Sequence, residues 1–271
     1  MNILNTGVDI TGAHFKKMYR DLYERGKTQI SDKCHTVELL NYAIEVPAYD
    51  YLTSFADRKL NLDYCKAEWA WYLRGDRYDT SIEDHATLWK KIKCADGGFN
   101  SNYGQYIFGE DQFEWCLTSL LNDKHSRQAS MQLLNKSHMY IGNPDVVCTH
   151  GINFQIRDNR LNMTVMMRSN DAIFGTTNDV FCFGQLLIMM HSALREKYSE
   201  LEIGTYTHFA CSLHVYERHF DMLEKLALSK DDFSPIDYPL PKTPREFNAI
   251  ATNRRDSNYD YANWVLDFEG K

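Results

Sequence analysis

The sequence has little that would anchor the protein to a membrane or export it. Its most apolar stretch, Val180 to Met190, is interrupted by Gly184 and Gln185 and is far shorter than the roughly 20 apolar residues of a membrane-spanning helix. The segment Met1 to Asp9 has neither a basic start nor an apolar run, which argues against a secretory signal. These absences predict a soluble protein of the cytoplasm with no membrane partner.

Closely spaced cysteine pairs and an excess of positive charge are also missing. The seven cysteines lack paired spacing, and this odd number predicts reduced thiols rather than a disulfide framework. His214 and His219 have no cysteine pair beside them, so we expect no metal site. The formal net charge of −7 argues against a polynucleotide partner, because such proteins usually present a basic stripe. A single nucleotide held by a few arginines is compatible with this charge.

The composition supports one large folded unit. The chain of 271 residues is 44% hydrophobic, which is enough for a sizeable core. We expect a single domain over residues 1–271, with a loop-rich tail over 231–271. Apolar residues at helical spacing predict three helices: Ala13–Arg25, Tyr64–Leu73 and Phe113–Leu121.

A central helix and a long strand are predicted in the second half of the chain. The helix runs from Asp179 to about Arg195, with Thr177 or Asn178 as its cap, and is apolar on nearly every side, which places it in the core. Asp179 is then expected at its N-terminus. Alternation from Thr205 to Tyr216 predicts a strand.

A hairpin is predicted between Val147 and Arg168. Two alternating apolar runs flank Asp158-Asn159, a favourable two-residue turn. This turn pairs positions so that Ile152 faces Val165, and apolar side chains meet at every such rung. The same register places Cys148 opposite Ser169. Strict alternation would point Cys148 and Arg168 to opposite faces, so we also predict a β-bulge in these strands.

Three side chains near this hairpin have complementary chemistry. The Cys148 thiol is a candidate nucleophile, and a neighbouring cation such as Arg168 favours its reactive thiolate by lowering the pKa. The Arg168 guanidinium also suits a phosphate group. An ionised Asp179 only accepts hydrogen bonds and so suits an exocyclic amino group better than a carbonyl.

Together, the motifs between Glu68 and Phe220 resemble those of the thymidylate synthase superfamily, and within it the phage deoxycytidylate (dCMP) hydroxymethylases. Each motif is weak alone, but they occur in the family's order. They are Glu68-x-x-Trp71-Tyr72 with Gly75-Asp76, Trp89, Asn100 to Gly104, Ser126-Arg127, Cys148, Arg168 to Asp171 with Gly175, Asn178-Asp179, and Ser212 to Tyr216 with Arg218-His219.

The resemblance implies an α/β (α+β), three-layer fold with a buried central helix and a large mixed β-sheet at a homodimer interface. It implies 5,10-methylenetetrahydrofolate as one-carbon donor and no metal. Cys148 would add to C6 of the pyrimidine and so make C5 nucleophilic. The one-carbon unit on C5 would then take up hydride in a synthase or water in a hydroxymethylase. A phage-infected bacterium is the source that the resemblance implies.

Site residues follow by position in the family's motifs. Cys148, Glu68 and Asp179 match catalytic residues, with Glu68 organising water and proton transfers. Arg127 matches an arginine that reaches the phosphate across the dimer interface. At the next position, where many relatives have a second arginine, this sequence has Gln128. The other matches to substrate-binding residues are Arg168, Ser169, Asn170, His214, Tyr216 and Tyr103. The matches to folate-binding residues are Trp89, Asp171 and Gly175.

Three departures bear on the substrate and product that the resemblance implies. Uracil-specific synthases have asparagine at the position of Asp179, whereas a carboxylate facing the uracil carbonyl would oppose two acceptors at a cost of about 1–3 kcal/mol. We therefore predict dCMP as substrate. Thr149 stands where synthases usually have histidine. The segment Asp267 to Lys271 is unlike the apolar end that excludes water in synthases, and we expect a looser lid to favour hydration.

The leading prediction is a deoxycytidylate 5-hydroxymethyltransferase, and three alternatives remain open. In a deoxycytidylate 5-methyltransferase, hydride would replace water. In the second alternative, the substrate would be dUMP or the ribonucleotide CMP instead of dCMP. The third alternative is a non-catalytic subunit of a nucleotide-synthesis complex, or an RNA-binding regulator, which the intact set of Cys148, Arg168 and Glu68 argues against.

Overall fold

The computed structural model describes residues 12–31, 34–55, 58, 60–230 and 233–268. Within these ranges the chain forms nine strands and nine α-helices, so the predicted mixed α/β class is confirmed. The strands are β1 Lys27–Ile30, β2 His35–Val46, β3 Thr53–Ser54, β4 Ser130–Gln132, β5 Thr149–Arg157, β6 Arg160–Met167, β7 Asn170–Asp171, β8 Glu202–Tyr216 and β9 Ser234–Pro235. The helices are α1 Ala13–Arg25, α2 Leu62–Arg74, α3 Thr87–Ile92, α4 Gly104–Ile107, α5 Gln112–Asn122, α6 Gly175–Leu194, α7 Phe220–Leu228, α8 Arg245–Ala251 and α9 Asp260–Leu266.

One large mixed sheet organises the molecule. Its strands follow the order β1-β2-β8-β6-β5-β4, and β7 pairs with β8 beside this path. The β6–β8 and β7–β8 pairs are parallel, whereas the others are antiparallel. A row of inward side chains, among them Ile152, Val165 and His208, is buried. The next row, which includes Ala43 and Met166, lies on the opposite, exposed face.

The β5–β6 hairpin has the predicted register. Ile152 pairs with Val165, and Asp158 and Asn159 have φ values of 49° and 58°, as a two-residue turn of this kind requires. The predicted bulge is present and lies between Thr149 and Gly151. Because the bulge shifts the register, Cys148 lies opposite Arg168, and the predicted pairing with Ser169 is wrong by one residue.

Helix α6 is the buried central helix, but it begins four residues before the predicted start. Phe174 precedes its first residue, and no side chain caps it. The predicted caps Thr177 and Asn178 are therefore wrong, and Asp179 lies in the second turn. From the sequence, the polar residues between Gly175 and Asn178 are expected to form a turn and a cap. In the fold their side chains have other partners: the Thr176 hydroxyl donates to Oδ1 of Asn170 at 2.5 Å.

The other predicted helices correspond to α1, α2 and α5. Helix α2 ends as expected at Gly75, whose φ of 63° suits glycine. The tail predicted to be loop-rich holds the short helices α8 and α9. The Trp69 indole N–H donates to the Tyr261 hydroxyl at 2.9 Å, and that hydroxyl donates to Gln185 at 3.0 Å, so α9 is fastened to α2 and α6. Among the helices described, none has the length and apolar character needed to cross a bilayer.

Candidate active site

The hairpin bulge brings the Cys148 thiol and the Arg168 guanidinium together. Nη2 of Arg168 lies 3.5 Å from Sγ of Cys148. The guanidinium is fixed by two backbone carbonyls, since Nε donates to Val147 at 2.9 Å and Nη2 donates to Val146 at 2.6 Å. Both side chains remain partly exposed. A nucleophile and a cation thus lie side by side, and the cation is held by the backbone of the segment that carries the thiol, just before β5.

Burial opposes ionisation of this thiol. Desolvation raises the pKa of Cys148, Arg168 lowers it in part, and the neighbouring Asp179 raises it again. The net pKa is above the ordinary value, so the expectation of a low-pKa cysteine is wrong. Proton removal must therefore accompany attack by the sulfur.

Asp179 projects from the second turn of α6 towards the same region. The Asn170 amide Nδ2 donates to its Oδ2 at 2.7 Å. Desolvation and the nearby Glu68 raise the pKa of Asp179 well above the ordinary value, although the Asn170 bond lowers it in part. The carboxyl therefore keeps a proton to higher pH than an exposed aspartate does. In its protonated form the carboxyl donates as well as accepts, whereas the ionised form considered from the sequence only accepts.

Glu68 lies on α2 within a shell of weak donors. The Tyr64 hydroxyl donates to its Oε1 at 2.8 Å, the Tyr72 hydroxyl lies 3.5 Å from the same oxygen, and Sγ of Cys182 lies 3.8 Å from Oε2. Burial raises the pKa of Glu68 to about 7 despite these donors. A carboxyl with this pKa can both release and accept a proton near neutral pH.

Two aromatic side chains predicted to line the site are largely buried. Tyr103 stacks between Tyr72 and Phe183, with ring centroids 5.2 Å and 5.8 Å away. The Trp89 indole N–H donates to the Tyr64 hydroxyl at 3.2 Å, which connects it to Glu68 through one intervening residue. Both residues therefore border the Glu68 cluster and also contribute to the core.

The remaining predicted ligands lie near Cys148 and Arg168. Ser169 lies between β6 and β7, and Asp171 pairs with His214 across the β7–β8 ladder. The His214 ring contacts the Tyr216 ring at a centroid distance of 4.9 Å. Gly175 opens α6, and a Cβ there would lie 3.7 Å from Oδ2 of Asp179 and 3.3 Å from Nδ2 of Asn170.

Arg127 is not part of this cluster within one chain. Its side chain is exposed, and it lines an open surface cleft together with Trp115 and Arg157. None of the described residues that line this cleft is a predicted catalytic residue. One copy of the chain thus brings together every predicted site residue except Arg127.

Arg58 is a potential site residue that the sequence reasoning missed. Its Nη2 donates to the Thr177 hydroxyl at 2.9 Å, and its guanidinium lies 5.3 Å and 5.1 Å from the ring centroids of Phe55 and Phe174. Within the described residues, Nε and Nη1 are buried without a hydrogen-bond partner. No periodic pattern marks this arginine, because Thr177 and Phe174 are more than a hundred residues away along the chain.

The described residues contain no cluster of histidine, cysteine or acidic side chains that would hold a metal ion. The arrangement instead offers a nucleophile, a fixed cation, two carboxyls of raised pKa and a buried arginine between aromatic rings.

Comparison with known proteins gives a consistent result. The thymidylate synthase family model matches residues 13–259. The deoxycytidylate 5-hydroxymethyltransferase of Enterobacteria phage T4 is 31% identical over 175 residues, covering 61% of this chain and 71% of that protein. The thymidylate synthase of Bacillus phage phi3T is 24% identical over 212 residues, covering 73% and 72%. The thymidylate synthase of Bacillus atrophaeus is 25% identical over 178 residues, covering 61% and 74%. With its motifs, its fold and this match over most of its length, the chain belongs to the thymidylate synthase family.

Proposed function

We propose that the protein is a deoxycytidylate 5-hydroxymethyltransferase. The observation that carries this proposal is the Asp179 carboxyl. The Asn170 amide donates to its Oδ2 at 2.7 Å, and the carboxyl is near enough to Cys148 to raise the pKa of the thiol. A carboxyl accepts a hydrogen bond from the 4-amino group of cytosine and shares a proton with N3. The name of the phage T4 relative supports the same substrate and product.

In this proposal the nucleotide is oriented by residues around the hairpin. The free edge of the Arg168 guanidinium and the Ser169 hydroxyl bind the phosphate, since the other edge of Arg168 is occupied by backbone carbonyls. His214 and Tyr216 contact the sugar. This orientation places C6 of the ring next to Sγ of Cys148.

The covalent step begins when Sγ of Cys148 bonds to C6 and the thiol loses its proton. The electron pair of the C5–C6 double bond then makes C5 nucleophilic, and Asp179 stabilises the charge that develops on the ring. Glu68, with its pKa near 7, is suited to move protons to and from the pyrimidine and its attached carbon. C5 bonds to the one-carbon unit, and loss of the C5 proton with departure of tetrahydrofolate leaves an exocyclic methylene. Water adds its hydroxyl to that carbon, the C6–S bond breaks to restore the C5–C6 double bond, and the Cys148 thiolate takes back a proton.

Methylenetetrahydrofolate, the co-substrate of the family, supplies the one-carbon unit. The described residues fit such a ligand: Arg58 has buried, unpartnered N–H groups for a carboxylate, and Phe55 and Phe174 flank it. Gly175 follows Phe174 at the start of α6, and Asp171 lies in β7 just before it. Trp89 is linked to Glu68 through the Tyr64 hydroxyl.

We also propose a homodimer that forms through the exposed face of the large sheet. Ala43, Phe209 and Met166 form an apolar row across three strands of this face, and Met166 is 47% exposed. Burial of such a row against a second copy is favourable. In that dimer, Arg127 is donated to the phosphate of the partner's site.

Mass spectrometry of the product tests the proposed reaction. The protein is incubated with dCMP and methylenetetrahydrofolate, with Cys148→Ser as the matched inactive control. We expect a gain of one CH2O group and release of tetrahydrofolate. A gain of CH2 with release of dihydrofolate would identify a methyltransferase instead. Turnover of dUMP alone would contradict the proposed substrate. No turnover with either nucleotide would contradict the enzyme assignment.

A further inference from the structure

A buried chain of hydrogen bonds leads to Asp179 from the core of the sheet. The Tyr206 hydroxyl lies 2.8 Å from Nδ1 of His208, and Nε2 of His208 lies 2.9 Å from Oδ1 of Asn170. The Asn170 amide continues the chain to Oδ2 of Asp179. Tyr206, His208 and Asn170 are at most 3% exposed. This series of hydrogen bonds is therefore shielded from solvent from Tyr206 through His208 to Asn170.

Such a chain can be oriented in two directions. Burial lowers the pKa of His208 to about 3, so its ring is neutral and has one N–H. In the first direction Tyr206 donates to His208, His208 donates to Asn170, and Asn170 donates to Asp179. In the reverse direction His208 donates to Tyr206, and the Asn170 amide is turned over so that its carbonyl faces Asp179.

The Tyr206 hydroxyl selects the first direction. Its bond with His208 is its one hydrogen bond within the part of the chain that the structure describes. In the reverse direction the phenolic proton would be buried without an acceptor, which disfavours that direction roughly tenfold or more. The Thr176 hydroxyl, 2.5 Å from Oδ1 of Asn170, favours the same orientation of the amide.

We propose that Tyr206 is a positioning residue that sets pyrimidine specificity by fixing, through His208 and Asn170, which oxygen of Asp179 accepts. The proposal rests on the function proposed above. A neutral carboxyl fits either pyrimidine, because it offers one donor and one acceptor. With Oδ2 held as an acceptor, its partner is the 4-amino group, and Oδ1 shares a proton with N3. Uracil has a carbonyl at position 4 and an N–H at N3, so it needs a donor at Oδ2 and an acceptor at Oδ1, and it is rejected.

Tyr206→Phe tests this proposal because it removes only the hydroxyl. Tyr106→Phe is the matched control, since the Tyr106 hydroxyl also lies against a histidine, 2.7 Å from Nε2 of His138, outside the Asp179 chain. Calorimetry gives the affinities for dCMP and dUMP. We expect Tyr206→Phe to reduce the ratio of the dCMP to the dUMP affinity about tenfold, and Tyr106→Phe to leave it unchanged. An unchanged ratio in folded Tyr206→Phe overturns the proposal.

A double-mutant cycle tests whether the residues act in series. His208→Leu should reduce the affinity ratio as far as Tyr206→Phe does, and the double variant should reduce it no further. Additive losses of the affinity ratio in the double variant would show that Tyr206 and His208 act independently and would overturn the proposal. A wild-type protein that prefers dUMP contradicts the proposed function itself, whereas a dCMP preference that all variants retain contradicts only the role of Tyr206.

Discussion

Glu68 shows how a single buried carboxyl connects stability to catalysis. Its pKa rises from 4.5 to about 7, mainly because burial disfavours the charged form. Ionisation is therefore easier in the unfolded chain than in the folded one. The stabilising contribution of the protonated group is complete below about pH 4.5 and is lost as the pH rises through about 7.

A comparison of wild type with Glu68→Gln checks this pH dependence. The amide does not titrate, so the free energy of unfolding of wild type relative to the variant should fall between pH 4.5 and about 7 and then level off. The expected total is at most about 3 kcal/mol, as measured by urea unfolding at a series of pH values. A difference that stays constant with pH would show that Glu68 keeps an ordinary pKa. The variant should also lose most of its turnover, because it cannot transfer protons.

Among the elements, the hairpin was predictable and the start of α6 was not. The β5–β6 register follows from local alternation and a short turn, so the sequence was sufficient to predict its pairing and the need for a bulge. The start of α6 was missed because the Thr176 hydroxyl bonds to Asn170 in the preceding strand β7, a side-chain contact that no alternation or turn pattern marks. Arg58 and Tyr206 were missed because their roles depend on residues remote in sequence. Arg58 binds Thr177, and Tyr206 reaches Asn170 only through its neighbour His208, so no spacing rule connects them.

Arg168→Ala tests the geometry that the hairpin bulge creates. The Arg168 guanidinium lies 3.5 Å from Sγ and lowers the pKa of Cys148, so its loss should raise that pKa further. The rate of Cys148 alkylation by iodoacetamide near pH 8 should then fall about tenfold, which corresponds to one pKa unit. Arg160→Ala, an exposed change at the opposite end of β6, is the control. Normal labelling of Arg168→Ala would mean that the bulge does not bring the two side chains together.

For the molecule as a whole, the incomplete site in one copy is the main argument for a dimer. Arg127 lines a cleft that does not include Cys148, although the family's motifs match it to a phosphate ligand. The exposed apolar row of Ala43, Phe209 and Met166 offers a surface for the second copy. Since a two-fold dimer repeats each contact, both sites would gain an arginine at once.

Mixing two inactive variants distinguishes this arrangement from a site completed within one chain. Arg127→Ala retains Cys148, and Cys148→Ser retains Arg127, so each mixed dimer has one site with both residues if Arg127 crosses the interface. After dissociation and random reassociation in equal amounts, half of the dimers are mixed, and activity should recover to about a quarter of the wild-type value. If Arg127 instead serves its own chain, no mixed dimer contains a complete site. Activity that stays at the level of the separate variants, although sedimentation shows dimers, would therefore place Arg127 in the site of its own subunit.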